Sequence, residues 1–315
     1  ILGAGLRAGI GLPFECRNGA CGKCKCVVLH GSVDQGGYQK SALTDAEKAL
    51  GKALMCCAVP RSDLEIEYEA GRAAVATTVQ TYVGRVLSME RLSDEVMRLV
   101  VSLPVGESIR FAAGQYINIL LPDGQRRAFS FANPPHQSEN IELHVRLIAG
   151  GQFTTYVFTR MKVGDDLRFQ GPLGAFYLRE SRRPIIFVAG ATGFAPVKSI
   201  VEDAFRRGIR RPMLLYWGVR RPKDLYMMEL AQRWQREHDN FKFVPVLSEA
   251  RPEDRWQGRS GLVHEAILRD FPDLNGYEIY VCGSVKMVDT AFPAFLEQGL
   301  SEEYCFSDAF LPSVG

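Results

Sequence analysis

The sequence contains no long uninterrupted hydrophobic run and no large excess of charge of either sign. No stretch reaches the roughly 18 to 20 apolar residues that a membrane-spanning helix requires, and the apolar start is interrupted by Arg7. Lysine and arginine number 38 against 36 acidic residues, so a net charge of +2 gives no sign of a nucleic-acid binder. Internal repeats and low-complexity segments are also missing, and we expect no signal peptide. These absences predict a soluble cytoplasmic protein with no membrane span and no nucleic-acid partner.

Composition and periodicity divide the 315 residues into three regions. Residues 1–70 hold most of the cysteines, and the small-residue stretch 71–78 is typical of a linker. Residues 79–180 carry short apolar or alternating runs between turn signals, which predict an antiparallel barrel with one helix over 153–161. In residues 181–315, apolar strands alternate with helical segments, which predicts a parallel sheet with helices on both faces. We therefore expect a multidomain protein that combines α+β and α/β parts.

Six of the eight cysteines lie within the first 57 residues. Three are spaced as Cys16-x4-Cys21-x2-Cys24, and 31 residues separate Cys24 from Cys56. This is the plant-type 2Fe-2S spacing, in which a glycine-rich loop wraps thiolates around the cluster and directs backbone N–H groups at the sulfurs. A structural zinc site is the alternative, but zinc sites usually pair two short Cys or Cys/His units, and only one such unit occurs here. The spacing favours the cluster.

The segments LPFECRNGACGKC and ALMCC-AVPRSDLEI resemble the cluster loop and the return segment of the ferredoxin domain in bacterial flavin-dependent electron-transfer reductases. The resemblance implies a β-grasp 2Fe-2S ferredoxin domain in which the four cysteines of the pattern bind the cluster, with Cys57 as the alternative to Cys56. In that family a β-hairpin precedes the helix before the cluster loop, whereas this chain starts at Ile1. We therefore expect the first domain to be N-terminally incomplete and the natural protein to be longer.

RAFS, preceded by GQY, resembles the flavin signature of the ferredoxin–NADP reductase superfamily. An arginine suits a pyrophosphate, an aromatic ring can pack on the isoalloxazine, and a serine hydroxyl can bond the flavin N5. HVRLIAGGQFTTYVF places two glycines at the start of the barrel's helix, where free N–H groups favour phosphate, although a plain turn with a helix cap is the alternative. This diphosphate loop favours FAD over FMN. The predicted flavin residues are Arg127, Ala128, Phe129, Ser130, His144, Val145, Arg146, Gly150, Gly151, Gln152, Phe153 and Thr154.

FVAGATGFAP follows an apolar strand and opens a helix, so its glycines let the backbone approach a pyrophosphate. It is neither a complete GxGxxG fingerprint nor a Walker loop. YWGVR, the following DLY and YVCGS come where later strands end, at the edge where parallel sheets bind ligands. The pattern predicts a Rossmann-like nicotinamide site. Its predicted residues are Gly190, Thr192, Gly193, Pro196, Gly218, Arg220, Asp224, Tyr226, Glu249, Cys282, Gly283 and Phe310.

The superfamily resemblance also implies roles for single residues. It places Thr192 at the nicotinamide end of the cofactor, Cys282 beside the reacting nicotinamide carbon, and the tail FSDAF at the flavin face. The predicted catalytic residues are Ser130, Cys282, Asp308 and Phe310. An ordinary buried core position is the alternative for Cys282.

The choice between NADH and NADPH depends on the residue after Ser248. NADPH enzymes of the superfamily usually carry arginine there, whereas this chain has Glu249, which suits ribose hydroxyls better than a phosphate. Arg251, Arg255 and Arg259 leave NADPH as the alternative, unless they form a solvated basic loop. We expect NADH.

The three regions predict an electron-transfer series from NADH through FAD to the 2Fe-2S cluster and on to an external redox partner protein. Their order resembles the reductase components of bacterial oxygenases. GGYQKSALTDAEKALGKALMCC and FSDAFLP also resemble reductases that serve a deoxysugar (CDP-6-deoxy-glucoseen) dehydrase. We expect a reductase for an oxygenase or hydroxylase component, with the dehydrase as the alternative acceptor. A non-catalytic zinc-binding or redox-sensing protein is the remote alternative.

Overall fold

The computed structural model describes residues 1–8, 10, 12–14, 19, 22–40, 42–68 and 79–310. The chain forms two compact units, Ile1–Thr78 and Val79–Gly315. The predicted linker 71–78 lies outside the described residues. Among those that are described, no helix is both long and apolar enough to cross a membrane.

The first unit is built from short elements. Its helices are α1 (Leu2–Arg7) and α2 (Asp45–Ala49), and its strands are β1 (Lys25–His30), β2 (Val33–Asp34), β3 (Lys52–Leu54), β4 (Val59–Pro60) and β5 (Glu65–Glu67). β1 lies between β3 and β5 with both pairs antiparallel, and β2 pairs with β4. Thr44 and Glu47 cap the start of α2 reciprocally, which satisfies amides that a short helix otherwise leaves unpaired. Buried Leu43, Leu54 and Met55 lie in the core between these elements.

The second unit begins with an antiparallel sheet. Its elements are β6 (Gln80–Arg91), β7 (Val96–Ser102), β8 (Tyr116–Leu120), β9 (Arg126–Ser130), β10 (Asn140–Arg146), α3 (Gln152–Thr159) and β11 (Asp166–Leu173). The strand order is β10-β7-β6-β11-β8-β9, and every pair is antiparallel. Just past β9, the Ala132 amide donates to the Glu142 carbonyl at 2.8 Å, which joins the two edge strands. The expected barrel is confirmed, and its helix starts one residue earlier than the sequence predicted.

The rest of the second unit is a parallel sheet. Its elements are β12 (Ile185–Gly190), α4 (Phe194–Arg206), β13 (Met213–Val219), α5 (Met228–Glu237), β14 (Phe241–Leu247), β15 (Arg259–Ser260), α6 (Val263–Asp270), β16 (Glu278–Ser284), α7 (Val285–Glu297) and β17 (Cys305–Phe310). The order β15-β14-β13-β12-β16-β17 is parallel throughout. Alternate residues of β12 face opposite cores, Phe187 towards one and Val188 towards the other, as expected for a sheet covered on both faces.

This topology determines where a ligand can bind. The chain runs from β12 outward through β13, β14 and β15, and then returns to place β16 and β17 on the other side of β12. Ligands of such sheets bind beyond the carboxyl ends of the strands at the point where the order reverses. Here that point lies between the ends of β12 and β16, at Gly190 and Gly283, where the sequence predicted the nucleotide loop.

Candidate functional site

In the first unit, Gly19 and Cys24 lie against the segment with Cys56 and Cys57. Cys24 is buried, and its carbonyl accepts a hydrogen bond from the Met55 amide at 2.9 Å. The sulfurs of Cys56 and Cys57 lie 3.5 Å apart, and both residues are half-buried. The fold thus brings the third predicted ligand next to the segment of the fourth, and the choice of Cys56 over Cys57 stays a prediction.

Gly19 packs tightly against this segment in the left-handed conformation, with φ +80°. A side chain there would put its Cβ 2.7 Å from Cys57 Sγ and 2.8 Å from the Tyr38 Cβ. The loop therefore needs glycine at this position, which fits a cradle whose backbone closes around thiolates. Cys16 and Cys21 lie outside the described residues, so the complete ligand set remains a prediction.

In the second unit, the end of β9 meets β17. Ser130 is nearly buried, and its Oγ donates a hydrogen bond to Asp308 Oδ2 at 3.4 Å across 178 residues of sequence. Phe129, one position earlier, is half-buried and its ring lies 5.4 Å from the Phe153 ring at the start of α3. The Arg127 guanidinium is bonded to Gln125 and to the Arg126 carbonyl, on the exposed edge of the sheet. Three predicted flavin residues thus converge on one end of β9 and α3, and Arg127 faces away from the core.

The start of α3 has the properties of a phosphate site. Gly151 precedes the helix in an extended conformation and supplies no side-chain cap, and Gly150 has φ +76° with open space where a Cβ would be. Thr154 Oγ1 donates to the Gly151 carbonyl at 3.2 Å. The first amides of α3 therefore keep their capacity to bind an anion.

The loop after β12 turns through a short 3-10 helix, Ala191–Gly193, directly into α4. Gly193 lies so close to β16 that an added Cβ would fall 2.1 Å from the Cys282 carbonyl oxygen and 2.6 Å from its carbonyl carbon. Thr192 is buried beside it, at the end of the strand. The backbone of the nucleotide loop and that of β16 are therefore in direct contact, which is why glycine is required at this position.

Cys282 is fully buried, and its register partner in β17 is Asp308. Burial, with a smaller contribution from the charge of Asp308, raises the pKa of the Cys282 thiol well above its usual range, so the thiol stays protonated. The Phe310 ring is half-buried against the same core. The three predicted catalytic residues at this edge therefore occupy adjacent strands, and Asp308 connects them to Ser130 of the barrel.

A cavity of about 490 Å³ lies at the carboxyl ends of β13 and β14. Three residues predicted for the nicotinamide nucleotide, Arg220, Asp224 and Glu249, line this cavity together. Its other wall comes from the barrel and contains Glu95, whose carboxylate lies 3.1 Å from Arg220 and 3.0 Å from Arg146. The sequence offered no sign of Glu95, because it sits in a turn without a recognisable motif.

His144 was predicted for the flavin site, but its side chain is in the protein interior. The ring is fully buried, and its two nitrogens are bonded to Glu142 Oε1 and to the Tyr226 hydroxyl, each at 3.0 Å. The imidazole is therefore engaged on both sides by protein groups and is not available to a cofactor. Sequence reasoning missed Glu142 and its partner Lys198 because buried charges carry no signal in a hydrophobic pattern.

Comparisons with known protein families identify all three regions. Residues 1–61 match the 2Fe-2S iron-sulfur cluster binding domain, residues 84–177 the oxidoreductase FAD-binding domain, and residues 187–292 the oxidoreductase NAD-binding domain. The cofactors are therefore FAD, a 2Fe-2S cluster and NADH.

Individual relatives match over nearly the whole chain. A CDP-6-deoxy-L-threo-D-glycero-4-hexulose-3-dehydrase reductase of Yersinia pestis is 38% identical over 99% of this chain and 93% of its own length. A phenol 2-monooxygenase reductase component of a Pseudomonas species is 39% identical over 98% of this chain and 89% of its own length.

A solved structure of a cytochrome P450 reductase from Amycolatopsis superposes with a TM-score of 0.87 at 34% identity, covering 99% of this chain and 94% of that chain. Sequence, domain order and fold agree. The chain belongs to the family of iron–sulfur flavoprotein reductases, which pass electrons from a nicotinamide nucleotide through FAD to a 2Fe-2S ferredoxin domain.

Proposed function

We propose that this reductase delivers electrons to an oxygenase component. The observation that carries the proposal is the full-length similarity to a reductase component of phenol 2-monooxygenase, at 39% identity over 98% of this chain. The similarity includes the ferredoxin domain, which is the part that faces an electron acceptor in such a series. A deoxysugar dehydrase is the second candidate acceptor, since a dehydrase reductase is 38% identical over 99% of this chain.

Ser130 and Asp308 are the residues we assign to the flavin N5. Bound FAD supplies the conversion of a two-electron hydride into single electrons. With FAD bound, Asp308 Oδ2 would be placed to take up a proton from N5 through the hydroxyl of Ser130, which donates to it at 3.4 Å. Because the pKa of Cys282 lies well above its usual range, the thiol at this edge stays neutral and adds no charge beside the nicotinamide.

The phosphates of both nucleotides are assigned to two glycine-preceded helix starts. The amides of α3 after Gly151 suit the FAD pyrophosphate, and the turn through Thr192 and Gly193 into α4 suits that of the nicotinamide nucleotide. Phe129 comes directly before Ser130 in the chain, and Phe310 comes two residues after Asp308. Both aromatic rings are half-buried, and we assign both to the isoalloxazine.

The preference for NADH has support from the cavity at β13 and β14. A 2′-phosphate needs arginines that are free to bind it, but three arginines of this cavity already have carboxylate partners. Arg220 pairs with Glu95, Arg221 with Asp254 at 3.0 Å, and Arg251 with Glu253 at 3.6 Å. Glu249 is exposed among them and would repel a phosphate while accepting hydrogen bonds from ribose hydroxyls.

The nucleotide preference can be tested by releasing one of these arginines. In Asp254→Asn the Arg221 guanidinium loses its closer carboxylate partner and keeps only Glu253 at 3.8 Å. We expect the NADH-to-NADPH ratio of kcat/KM to fall about 5- to 10-fold, as one charge contact with the phosphate allows. Asp166→Asn, which removes the carboxylate partner of Arg85 outside the cavity lining, serves as the matched control. An unchanged ratio in Asp254→Asn would argue against this assignment of the cavity.

The acceptor can be tested by reconstitution. The reductase, NADH and a phenol-hydroxylating oxygenase should give hydroxylated product with NADH consumption coupled to it, and cytochrome c reduction reports separately that the reductase itself is active. The dehydrase and its CDP-linked sugar form the parallel reaction. Turnover with the dehydrase and none with the oxygenase would overturn the first assignment in favour of the second.

A further inference from the structure

A group of charged side chains lies buried where the barrel meets the nucleotide-binding sheet. Glu142 in β10 is at its centre and nearly buried, with Oε2 3.0 Å from the Arg98 guanidinium and Oε1 3.3 Å from Lys198 Nζ. The same Oε1 is 3.0 Å from His144 Nε2. We call Glu142, His144, Tyr226 and Lys198 the interface cluster. The sequence predicted His144 for the flavin site and Tyr226 for the nicotinamide site, but none of the four side chains has a role in the proposed function above.

The protonation states of the interface cluster fix the direction of its hydrogen bonds. Burial raises the pKa of Glu142, but the hydrogen bond from His144 and the charge of Lys198 outweigh it, so the net pKa lies below its usual range and the carboxylate is charged. Burial lowers the pKa of His144, which is therefore neutral at pH 7. A carboxylate can only accept, so His144 Nε2–H donates to Glu142, and the Tyr226 hydroxyl donates to Nδ1.

Lys198 connects the same carboxylate to the flavin strand. Its ammonium donates to the Ala132 carbonyl at 3.0 Å, two residues beyond Ser130, and the neighbouring Ser199 hydroxyl donates to the Asn133 carbonyl at 2.7 Å. Both donors lie in α4, the helix that the nucleotide loop opens. The first half of α4 is thus bonded directly to the segment that follows the predicted N5 contact.

Tyr226 connects the interface cluster to the nucleotide loop by a second route. Its ring meets the Trp217 ring edge-on at 5.1 Å, and Trp217 stacks on Phe194 with centroids 4.0 Å apart. Trp217 Nε1 donates to the Ala191 carbonyl at 2.9 Å, inside the loop itself. A change in the orientation of Tyr226 would therefore reach the loop through one intervening ring.

A buried ionic group of this kind is a poor way to gain stability, since well-packed apolar residues usually serve as well or better. Its directional bonds do restrict geometry, and hydride transfer is sensitive to geometry, with a misplacement of about 1 Å costing on the order of 100-fold. We infer that Glu142 and His144 are positioning residues that hold the nucleotide loop at its working distance from the flavin-binding strand. This inference rests on the proposed hydride transfer from NADH to FAD at Ser130.

The test measures hydride transfer and loop order separately in the intact holoprotein. Stopped-flow mixing with NADH gives the limiting rate of flavin reduction and the apparent Kd for NADH. In Glu142→Gln and His144→Phe we expect the limiting rate to fall about 10-fold or more, with the Kd changed less than about 2-fold because no nucleotide contact is removed. Hydrogen–deuterium exchange without nucleotide should accelerate at amides 190–199 and remain unchanged in β6 and β11.

Two further variants distinguish the proposed positioning role from a general loss of folding. Tyr226→Phe removes a single oxygen and keeps the ring, and a double-mutant cycle with His144→Phe should show non-additive effects if both act through the same hydrogen bond. Asp203→Asn, on the outer side of α4 with its own partner Arg207, is the matched control and should leave the limiting rate unchanged.

The inference is overturned if Glu142→Gln and Tyr226→Phe both keep the wild-type limiting rate, or if exchange accelerates throughout the unit rather than at the loop. Wild-type protein that NADH does not reduce at all would instead contradict the proposed function. The two failures are therefore distinguishable.

Discussion

The two compact units of this protein build their sites in opposite ways. In the first, the predicted cluster ligands come from a Cys-x4-Cys-x2-Cys segment and one return segment, and the described ligand Cys24 is bonded to Met55 beside Cys56. In the second, Ser130 and Asp308 are brought together across 178 residues by two separate sheets. A site made of neighbours in sequence can be recognised by spacing, whereas a site made at the junction of two sheets depends on how those sheets pack.

The contrast between the two units is tested most directly by removing the predicted cluster site of the first unit alone. In Cys24→Ala the cluster loses a predicted ligand that is buried, and we expect electron delivery to cytochrome c to fall more than about 100-fold, since the cluster requires all four thiolates. Flavin reduction by NADH should stay within about 2-fold of wild type, because the second unit is untouched.

Cys26→Ala is the matched control for this variant. Cys26 is also buried in the first unit, but it lies in β1 and outside the cluster spacing, and burial raises the pKa of its thiol to about 11. It should keep the iron–sulfur absorbance. Loss of that absorbance in Cys26→Ala and retention in Cys24→Ala would reverse the ligand assignment.

The site where the two sheets of the second unit meet should lose its function when Gly193 is replaced. An alanine there would place its Cβ 2.1 Å from the Cys282 carbonyl oxygen, so the nucleotide loop must move away from β16. We expect flavin reduction by NADH to fall about 100-fold, with dithionite still reducing the cluster. Gly37→Ala is the control, since nothing lies within 4 Å of the added carbon. A normal rate in Gly193→Ala would mean that the loop tolerates displacement.

Ser130→Ala tests the same site by removing a single oxygen atom. Removal of the hydroxyl takes away the donor to Asp308 and the proposed contact to the flavin N5, and we expect the rate of flavin reduction to fall about 10- to 100-fold. Asp308→Asn should show a similar loss and a changed pH dependence. If the Ser130→Ala rate matches wild type while flavin content is normal, the assigned role is wrong.

The smallest expected effect is at Glu47 in the first unit. Glu47 pairs with Lys25 at 2.7 Å and accepts a hydrogen bond from the Thr44 amide. These contacts, chiefly the one with Lys25, lower the pKa of Glu47 to about 2. A lowered pKa means that the pair stabilises the fold above the usual carboxyl pKa and that this contribution fades as pH falls towards 2. Glu47→Gln should therefore cost about 0.5 kcal/mol at pH 7 and less at pH 3.

Protection of the α2 amides against hydrogen exchange, compared with wild type at each pH, measures this difference. An equal effect at both pH values would show that the hydrogen bonds of the cap, rather than the charge of Glu47, carry the contribution.

Much of the fold could be predicted because the spacing of apolar residues along the chain matches the secondary structure that those residues form. The apolar runs around Phe187 and Tyr280 read as buried parallel strands, and the alternating segment around Val83 reads as a strand with one exposed face. The helix after Gly151 was also expected, within a residue at its start. These features depend on neighbours in the chain, so the sequence displays them directly.

The side-chain environment at the junction could not be predicted. His144 lies in a strand next to predicted flavin residues and is itself predicted for the flavin site, but it is bonded to Glu142 and to Tyr226, a residue 82 positions away. Glu95, in a turn of the barrel, pairs with Arg220 across 125 positions. Neither partner choice follows from propensity or spacing, because each depends on the packing of two sheets.

The amino-acid sequence by itself determined the order of the three domains, the cofactors they bind and the cluster spacing. Each of these can be recognised from short motifs of neighbouring residues. Only the tertiary structure decided which side chains meet where those domains join, including the contact of Ser130 with Asp308 and the burial of Glu142. The physical reason is that hydrogen bonds and ion pairs between distant segments form only after hydrophobic packing has placed their backbones within about 3 Å reach of each other.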